Sequence, residues 1–200
     1  MIRFAFKFII CLLLAAATGI GLLAWRSGDP FYTVYEWLSP ARFQQYDQLI
    51  HAVSATNKLD PMLVKAVVWR ESRFDPKKLG GAGERGLMQV SEIAAREWAT
   101  ENRLQNFRME ELFDPKTNLE AGAWYLQRAM LHWQKAHDPT PFALAEYNAG
   151  ASRAQRWAGG AGKDPILARE FQRNIDFPGT KSYVESIIER YRFYKRRGRM

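Results

Sequence analysis

The stretch "DPMLVKAVVWRESRFDPKKLGGAGERGLMQV", residues 60–90, decides the fold because it predicts a capped helix followed by a glycine-rich loop. Asp60 is a residue type that caps helices, and Pro61 suits the first helical position, so the helix is predicted to begin there. Apolar residues continue to Glu71, after which glycines interrupt the pattern. The sequence therefore predicts a helix that delivers a carboxyl group to the edge of a loop.

The loop contains the pattern G-x-G-x-x-G at Gly81, Gly83 and Gly86, which is the fingerprint of dinucleotide-binding proteins. That fingerprint requires a strand running directly into the glycines within a βαβ unit. Here a helix precedes the glycines and no parallel-sheet pattern follows, which argues against a nucleotide site. We expect instead that the glycines allow tight turns with positive φ. The loop is then predicted to connect the Glu71 helix to a helix carrying Met88 and Gln89.

The rest of the body also has helical signals, and nothing alternates with a period of two for long. Ser91 and the pair Asp114-Pro115 are predicted to begin helices, and Gly150 is predicted to end one that starts near Pro141. Several sets of apolar residues recur at helical spacing. These sets are Phe43, Tyr46, Ile50 and Val53; Leu119, Ala123, Leu126, Met130 and Trp133; and Tyr183, Ile187, Tyr191 and Tyr194. The fold class is predicted to be all-α.

The formal net charge of +8 is concentrated at the two ends of the 200-residue chain. Arg3 and Lys7 lie at the start, and residues 189–200 hold six lysines and arginines against one glutamate. The body is almost neutral, so nucleic-acid binding is not expected. The basic tail, residues 196–200, has two interpretations: a solvated chain end, or a contact with anionic lipids or wall polymers.

Residues 8–25 form an uncharged apolar segment, "FIICLLLAAATGIGLLAW". Because positive charge precedes it, a membrane anchor is predicted, with residues 1–7 in the cytoplasm and the body exported. The alternative is a cleaved signal peptide, and a buried core helix is a third. Residues 26–42 are predicted to be a connector with one short apolar patch. The only cysteine, Cys11, lies in the apolar segment, so the body is predicted to have no disulfide, thiol nucleophile or thiolate metal site.

Three blocks of residues 43–195 occur together in an order that resembles one enzyme family. They are "ES" at Glu71-Ser72 with "GLMQ" at Gly86–Gln89, "LFDPKTNLEAGAWYL" at Leu112–Leu126, and "LAEYNAG" at Leu144–Gly150. Together they resemble the catalytic domain of the lysozyme-like lytic transglycosylases. The resemblance implies a bacterial enzyme that acts on peptidoglycan strands. Together with the anchor predicted from residues 1–25, it gives the expectation of a single-pass inner-membrane protein whose catalytic domain faces the extracytoplasmic side.

The resemblance also implies roles for individual residues. Glu71 matches the single catalytic acid and base, and a carboxyl at a helix C-terminus among apolar residues is expected to have a raised pKa. The expected substrate-binding residues are Ser72, Met88, Gln89, Tyr147, Asn148 and Tyr183. No metal or organic cofactor is implied, and His51, His132 and His137 are too scattered to match a ligand motif.

The chemistry implied by the family uses one carboxyl where most glycosidases use two. The glutamate protonates the bond between N-acetylmuramic acid and N-acetylglucosamine, then takes the proton of the muramic acid C6 hydroxyl, which closes a 1,6-anhydro ring.

The sequence departs from the family pattern at Gly179 and Lys181, and also at Glu84 and Glu146. With Asp75, Glu84 and Glu146 are candidate second carboxylates, and the alternative for Glu84 is a surface pair or a loop brace formed with Arg85. Two alternatives therefore stay open: a water-using muramidase on the same fold, and a non-catalytic glycan-binding scaffold.

Overall fold

The computed structural model describes residues 2–25, 29–160 and 166–198, and the chain divides into two units, Met1–Gln44 and Gln45–Met200. Within the described residues every regular element is a helix, and the only β-type pairings are two isolated bridges, Leu79 with Arg85 and Arg85 with Val90. The predicted all-α fold is therefore confirmed.

The first unit contains three helices: α1 (Ile2–Trp25), α2 (Pro30–Leu38) and α3 (Pro40–Gln44). Asp29 caps α2 by accepting a hydrogen bond from the amide of Tyr32 at 3.1 Å. Most of the predicted connector is thus helical, while its residues 26–28 lie outside the described part of the chain. None of the helices in the described ranges has the length and hydropathy that crossing a bilayer requires.

The second unit holds the remaining helices. They are α4 (Asp47–Asn57), α5 (Pro61–Ser72), α6 (Glu92–Glu101), a short 3₁₀ helix (Met109–Phe113), α7 (Pro115–His132), α8 (Thr140–Ala149), α9 (Ala151–Trp157), α10 (Ala168–Asn174) and α11 (Pro178–Arg197). Helix α5 packs against α4 and α11, while α7 packs against α4, α6 and α8. Burial of apolar side chains on these shared faces stabilises the domain.

The predicted helix starts are confirmed by their capping bonds. Asp60 accepts from the Met62 amide at 2.9 Å, and Ser91 accepts from the amide of Ala94 at 3.3 Å. Asp114 does the same at the start of α7, where its carboxylate accepts from the Thr117 amide at 2.9 Å. Each bond satisfies an amide that has no partner inside its own helix, which is why these residue types predict helix starts.

Phe43, Tyr46, Ile50 and Val53 are all buried, although the helix is interrupted because α3 ends at Gln44 and α4 begins at Asp47. Asp47 forms an ion pair of 2.6 Å with the buried Lys65 of α5. One sequence prediction of local structure is wrong. Met88 and Gln89, expected on a helix, lie instead in the turn before α6.

The glycine-rich segment folds back on itself as a small hairpin-like loop. The amide of Gly80 donates to the carbonyl of Glu84 at 2.7 Å, and that of Gly86 donates to Lys78 at 2.9 Å. Gly83 and Gly86 have φ of +89° and +76°, which side chains with a Cβ rarely adopt. The expectation that these glycines permit tight turns is confirmed at these two positions.

Candidate active site

Glu71 lies in the last turn of α5, beside a cavity of about 600 Å³. The helix stops there because Arg73 and Phe74 adopt left-handed conformations, with φ of 54° and 61°. Such a conformation is unfavourable for residues other than glycine, and burial of the Phe74 side chain helps to maintain it. The abrupt end of α5 places Glu71 at the wall of the cavity.

The cavity lies between the end of α5, the glycine-rich loop, the start of α6, and helices α7 and α8. Its walls are formed by Glu71, Lys78, Leu79, Gly80, Gly81, Glu84, Gln89, Val90, Ser91, Ile93, Ala94, Tyr125, Tyr147, Asn148 and Gly150. Carboxyl, amide and hydroxyl groups alternate with apolar surface. This mixture suits a ligand that carries both hydrogen-bonding groups and apolar faces, as a sugar chain does.

The carboxyl of Glu71 has a strongly perturbed pKa. Burial raises it from 4.5 to about 7, and the negative charge of Glu84 acts in the same direction. The hydrogen bond from Tyr183 and the positive charges of Arg70 and Lys78 lower the pKa and only partly offset this effect. A carboxyl with this pKa exchanges a proton readily near neutral pH, as a group that acts first as acid and then as base must.

Tyr183 contacts Glu71 directly from α11. Its hydroxyl donates to Glu71 Oε1 at 2.7 Å, which leaves Oε2 as the oxygen that can carry the transferable proton. Burial and the nearby Glu71 hold the pKa of Tyr183 well above its usual value, so it remains a donor. Arg70 lies 5.5 Å from the centre of the Tyr183 ring and donates to Ser186 Oγ at 3.1 Å, which fixes this side of the site.

A buried hydrogen-bond network holds the turn that follows the glycine-rich loop. Tyr147 donates its hydroxyl to the carbonyl of Met88 at 2.9 Å, and the Met88 amide donates to Asn118 Oδ1 at 2.8 Å. Asn118 Nδ2 in turn donates to the carbonyls of Arg85 and Leu112 at 2.7 and 2.9 Å. Asn118 is fully buried, and no motif in the sequence indicated a role for it. The signal that could have identified it is an amide side chain beside Leu119 on the apolar face of α7.

Three of the residues expected to bind substrate, Ser72, Met88 and Tyr183, do not line the cavity. Tyr183 is buried, and its hydroxyl is engaged with Glu71. Met88 is fully buried, and its side chain packs against α7, where a Cβ on Gly122 would lie 2.6 Å from Met88 Sδ. Ser72 is also buried, and its hydroxyl donates to the carbonyl of Val68 at 3.2 Å. Met88 therefore packs against α7, and Ser72 bonds within the end of α5. The sequence pattern could not distinguish these buried positions from positions on a cavity wall.

Gln89, Tyr147 and Asn148 lie on the cavity wall, as expected. Gln89 donates its amide to the carbonyls of Lys78 and Gly86, both at 3.0 Å, so its nitrogen also braces the loop. Asn148 Oδ1 accepts from Thr180 Oγ1 at 2.8 Å, which orients the amide and leaves its nitrogen able to donate to a ligand. The structure thus brings together residues from α5, the loop, α8 and α11.

The three candidate second carboxylates have different positions, and only Glu84 among them lies on the cavity wall. Glu146 points towards α7, where it accepts from Trp133 Nε1 at 2.7 Å and lies 2.6 Å from His132 Nδ1. Asp75 is exposed and accepts from a backbone amide two residues later. Among the described residues, no group of histidine, cysteine, aspartate or glutamate side chains is arranged to hold a metal ion.

An all-α domain with a glutamate of raised pKa at the wall of a polar cavity has the features of a lysozyme-like class of domain. Within this class, the family model described as the transglycosylase SLT domain matches residues 48–168, and the chain belongs to this family.

Named relatives agree with the family assignment. The chain is 28% identical over 152 residues to the soluble lytic murein transglycosylase of Escherichia coli K12, covering 75% of this chain and 23% of the relative. It is 32% identical over 130 residues to the membrane-bound lytic murein transglycosylase F of Desulfosudis oleivorans, covering 62% and 27%. The chain therefore spans about a quarter of the length of these curated relatives.

A solved structure is similar across most of the chain. The crystal structure of the 70 kDa soluble lytic transglycosylase from Escherichia coli superposes with a TM-score of 0.69 and 26% identity, covering 76% of this chain and 24% of that one. The similarity confirms the lysozyme-like fold.

Proposed function

We propose that this protein is a peptidoglycan lytic transglycosylase in which Glu71 acts first as the acid and then as the base. The observation that carries the proposal is the Glu71 carboxyl, whose pKa is raised to about 7 at the wall of a polar cavity. The relatives are named as lytic murein transglycosylases, which supports lytic transglycosylase activity on peptidoglycan for this chain.

The proposed reaction needs one carboxyl and no water. Protonated Glu71 gives its proton to the glycosidic oxygen between N-acetylmuramic acid and N-acetylglucosamine, and the bond from that oxygen to C1 breaks. The carboxylate then takes the proton of the C6 hydroxyl of the same muramic acid, whose oxygen attacks C1 and closes a 1,6-anhydro ring. Because the attack is intramolecular, it has a high effective molarity.

The neighbouring side chains have supporting roles in this proposal. Tyr183 orients Glu71 by occupying Oε1. The amide nitrogen of Asn148 and the polar edge of Gln89 would hydrogen-bond sugar hydroxyls and N-acetyl groups, and exposed apolar side chains such as Ile93 would contact the sugar faces. Such polar groups discriminate strongly, because a ligand that lacks the matching group leaves them unsatisfied.

The test is digestion of purified peptidoglycan, with the soluble products measured by mass spectrometry. Glu71→Gln keeps the shape of the side chain but removes the exchangeable proton, so release of anhydro products is expected to fall by about 100-fold or more. Glu101→Gln, an exposed glutamate at the end of α6, is the matched control and is expected to retain activity. If neither wild type nor Glu71→Gln releases soluble products, the non-catalytic scaffold is supported instead, and equal release by two active proteins would refute the role of Glu71.

We also propose that residues 8–25 direct export and hold the domain at the inner membrane, and that the basic end of α11 contacts anionic lipids or wall polymers. The support is the sequence, with Arg3 and Lys7 ahead of the uncharged segment and Lys195, Arg196 and Arg197 in the last turn of α11. Fractionation of cells that express the full chain and a variant lacking residues 1–25 tests the first proposal. Salt-dependent sedimentation with peptidoglycan tests the second.

A further inference from the structure

A second carboxyl group, Glu84, lies on the wall of the cavity that contains Glu71. The loop that carries it is held at both ends, since Gly80 donates to the carbonyl of Glu84 at 2.7 Å and residue 85 forms bridges with residues 79 and 90. Glu84 is therefore presented to the cavity by a closed loop and not by a loose chain segment.

The Glu84 carboxylate is only partly engaged by the protein. Oε2 accepts a hydrogen bond from the amide of Ala82 at 3.0 Å, and Glu84 makes no ion pair within the described ranges. The adjacent Arg85 pairs instead with Glu110, at 3.1 Å. Oε1 of Glu84 is consequently left to accept a hydrogen bond from a ligand or from water in the cavity.

Gly80 allows the carboxylate to take this position. A Cβ on Gly80 would lie 2.9 Å from Gln89 Oε1 and would overlap Glu84 Oε2. The absence of a side chain at residue 80 thus creates the space in which the Glu84 carboxylate lies. The negative charge of Glu84 also reaches Glu71, because it contributes to the raised pKa of that carboxyl.

We propose that Glu84 is a second catalytic carboxylate, which activates water so that part of the turnover ends in hydrolysis instead of ring closure. The inference rests on the proposed function, because it concerns the same cavity and the same glycosidic bond. Hydrolytic glycosidases use two carboxyl groups that flank the scissile bond, one as acid and one as base or nucleophile. Glu71 supplies the acid and Glu84 supplies the base.

The hydrolytic step balances without any further reactant. Glu71 gives its proton to the leaving glycosidic oxygen while the bond from that oxygen to C1 breaks. Glu84 takes a proton from water, whose oxygen forms the new bond to C1. The products are a reducing muramic acid end and a free hydroxyl on the next sugar, and exchange with solvent then reprotonates Glu71 and deprotonates Glu84. Ring closure by the C6 hydroxyl competes with this step for the same C1 atom.

The experiment is digestion of purified peptidoglycan in water enriched in heavy oxygen, with both products measured by mass spectrometry. Hydrolysed ends are heavier than anhydro ends by one water and carry the heavy oxygen, whereas anhydro ends do not. The readout is the ratio of hydrolysed to anhydro ends, because removing the Glu84 charge also changes the overall rate through Glu71.

Wild type is expected to form both kinds of end, and Glu84→Gln is expected to lower the ratio by about tenfold or more. Gly80→Ala, which displaces the carboxylate without removing it, is expected to lower the ratio in the same direction. Glu101→Gln, which removes an exposed carboxylate that is not on the cavity wall, should leave the ratio unchanged.

Two results would overturn the inference while leaving the proposed function intact. One is a wild-type digest that contains anhydro ends and no hydrolysed ends. The other is an equal ratio in wild type and Glu84→Gln. A wild type that releases neither product would instead refute the proposed function itself, and the inference with it.

Discussion

The raised pKa of Glu71 predicts that its ionised carboxyl lowers the free energy of unfolding at neutral and alkaline pH. Burial raises the pKa from 4.5 to about 7, so the folded protein binds this proton more tightly than the unfolded chain does. The protonated Glu71 therefore contributes to the free energy of unfolding. This contribution is fully present below about pH 4.5 and is lost as the pH rises through about 7.

The magnitude follows from the difference between the two pKa values. A difference of about 2.5, at about 1.4 kcal/mol for each pKa unit, gives about 3.5 kcal/mol in full, of which about 3 kcal/mol falls between about pH 4 and about pH 8. Glu71→Gln has no proton to lose at this position, so it does not lose this stability. The free energy of unfolding of Glu71→Gln relative to wild type should therefore rise by about 3 kcal/mol between about pH 4 and about pH 8.

The assay is urea unfolding of both proteins at several pH values across this interval, with the free energy of unfolding obtained by linear extrapolation. Glu101→Gln controls for the general loss of one carboxylate, and its difference from wild type should change far less with pH. If the difference between Glu71→Gln and wild type is the same at both ends of the interval, the Glu71 carboxyl is not desolvated in the folded protein. Glu71 would then not be held protonated near neutral pH, which would refute its proposed role as an acid.

Three further variants test the hydrogen bond to Glu71 and the contacts between α7 and the turn that contains Met88. Tyr183→Phe removes a hydrogen bond that lowers the pKa of Glu71, so the alkaline limb of the profile of kcat/KM against pH should move to higher pH, measured on soluble glycan products. Asn118→Ala leaves buried backbone groups unsatisfied and should lower the free energy of unfolding by about 2–4 kcal/mol in urea titrations. Gly122→Ala places a Cβ 2.6 Å from Met88 Sδ and should cost about 1–3 kcal/mol through overpacking, seen as a lower midpoint in the same titrations.

Local signals in the sequence were sufficient for the starts of α5, α6 and α7 and for the position of Glu71. Asp60, Ser91 and Asp114 each cap a helix through a bond to an amide two or three residues away, so a short stretch of sequence contains both partners. The placement of Glu71 in the last turn of α5 follows from the same kind of signal. The sequence therefore determined the all-α class and the resemblance that identified the family.

Contacts between distant parts of the chain decided what each candidate residue does. Tyr183 meets Glu71 across 112 positions of sequence, and Asn118 meets Met88 across 30. Of the two glutamates that depart from the family pattern, Glu84 faces the cavity whereas Glu146 faces α7. Helical spacing and motif order fix which residues are present but not which way each side chain points once helices pack. That direction depends on neighbours supplied by other helices, and only the tertiary structure contains them.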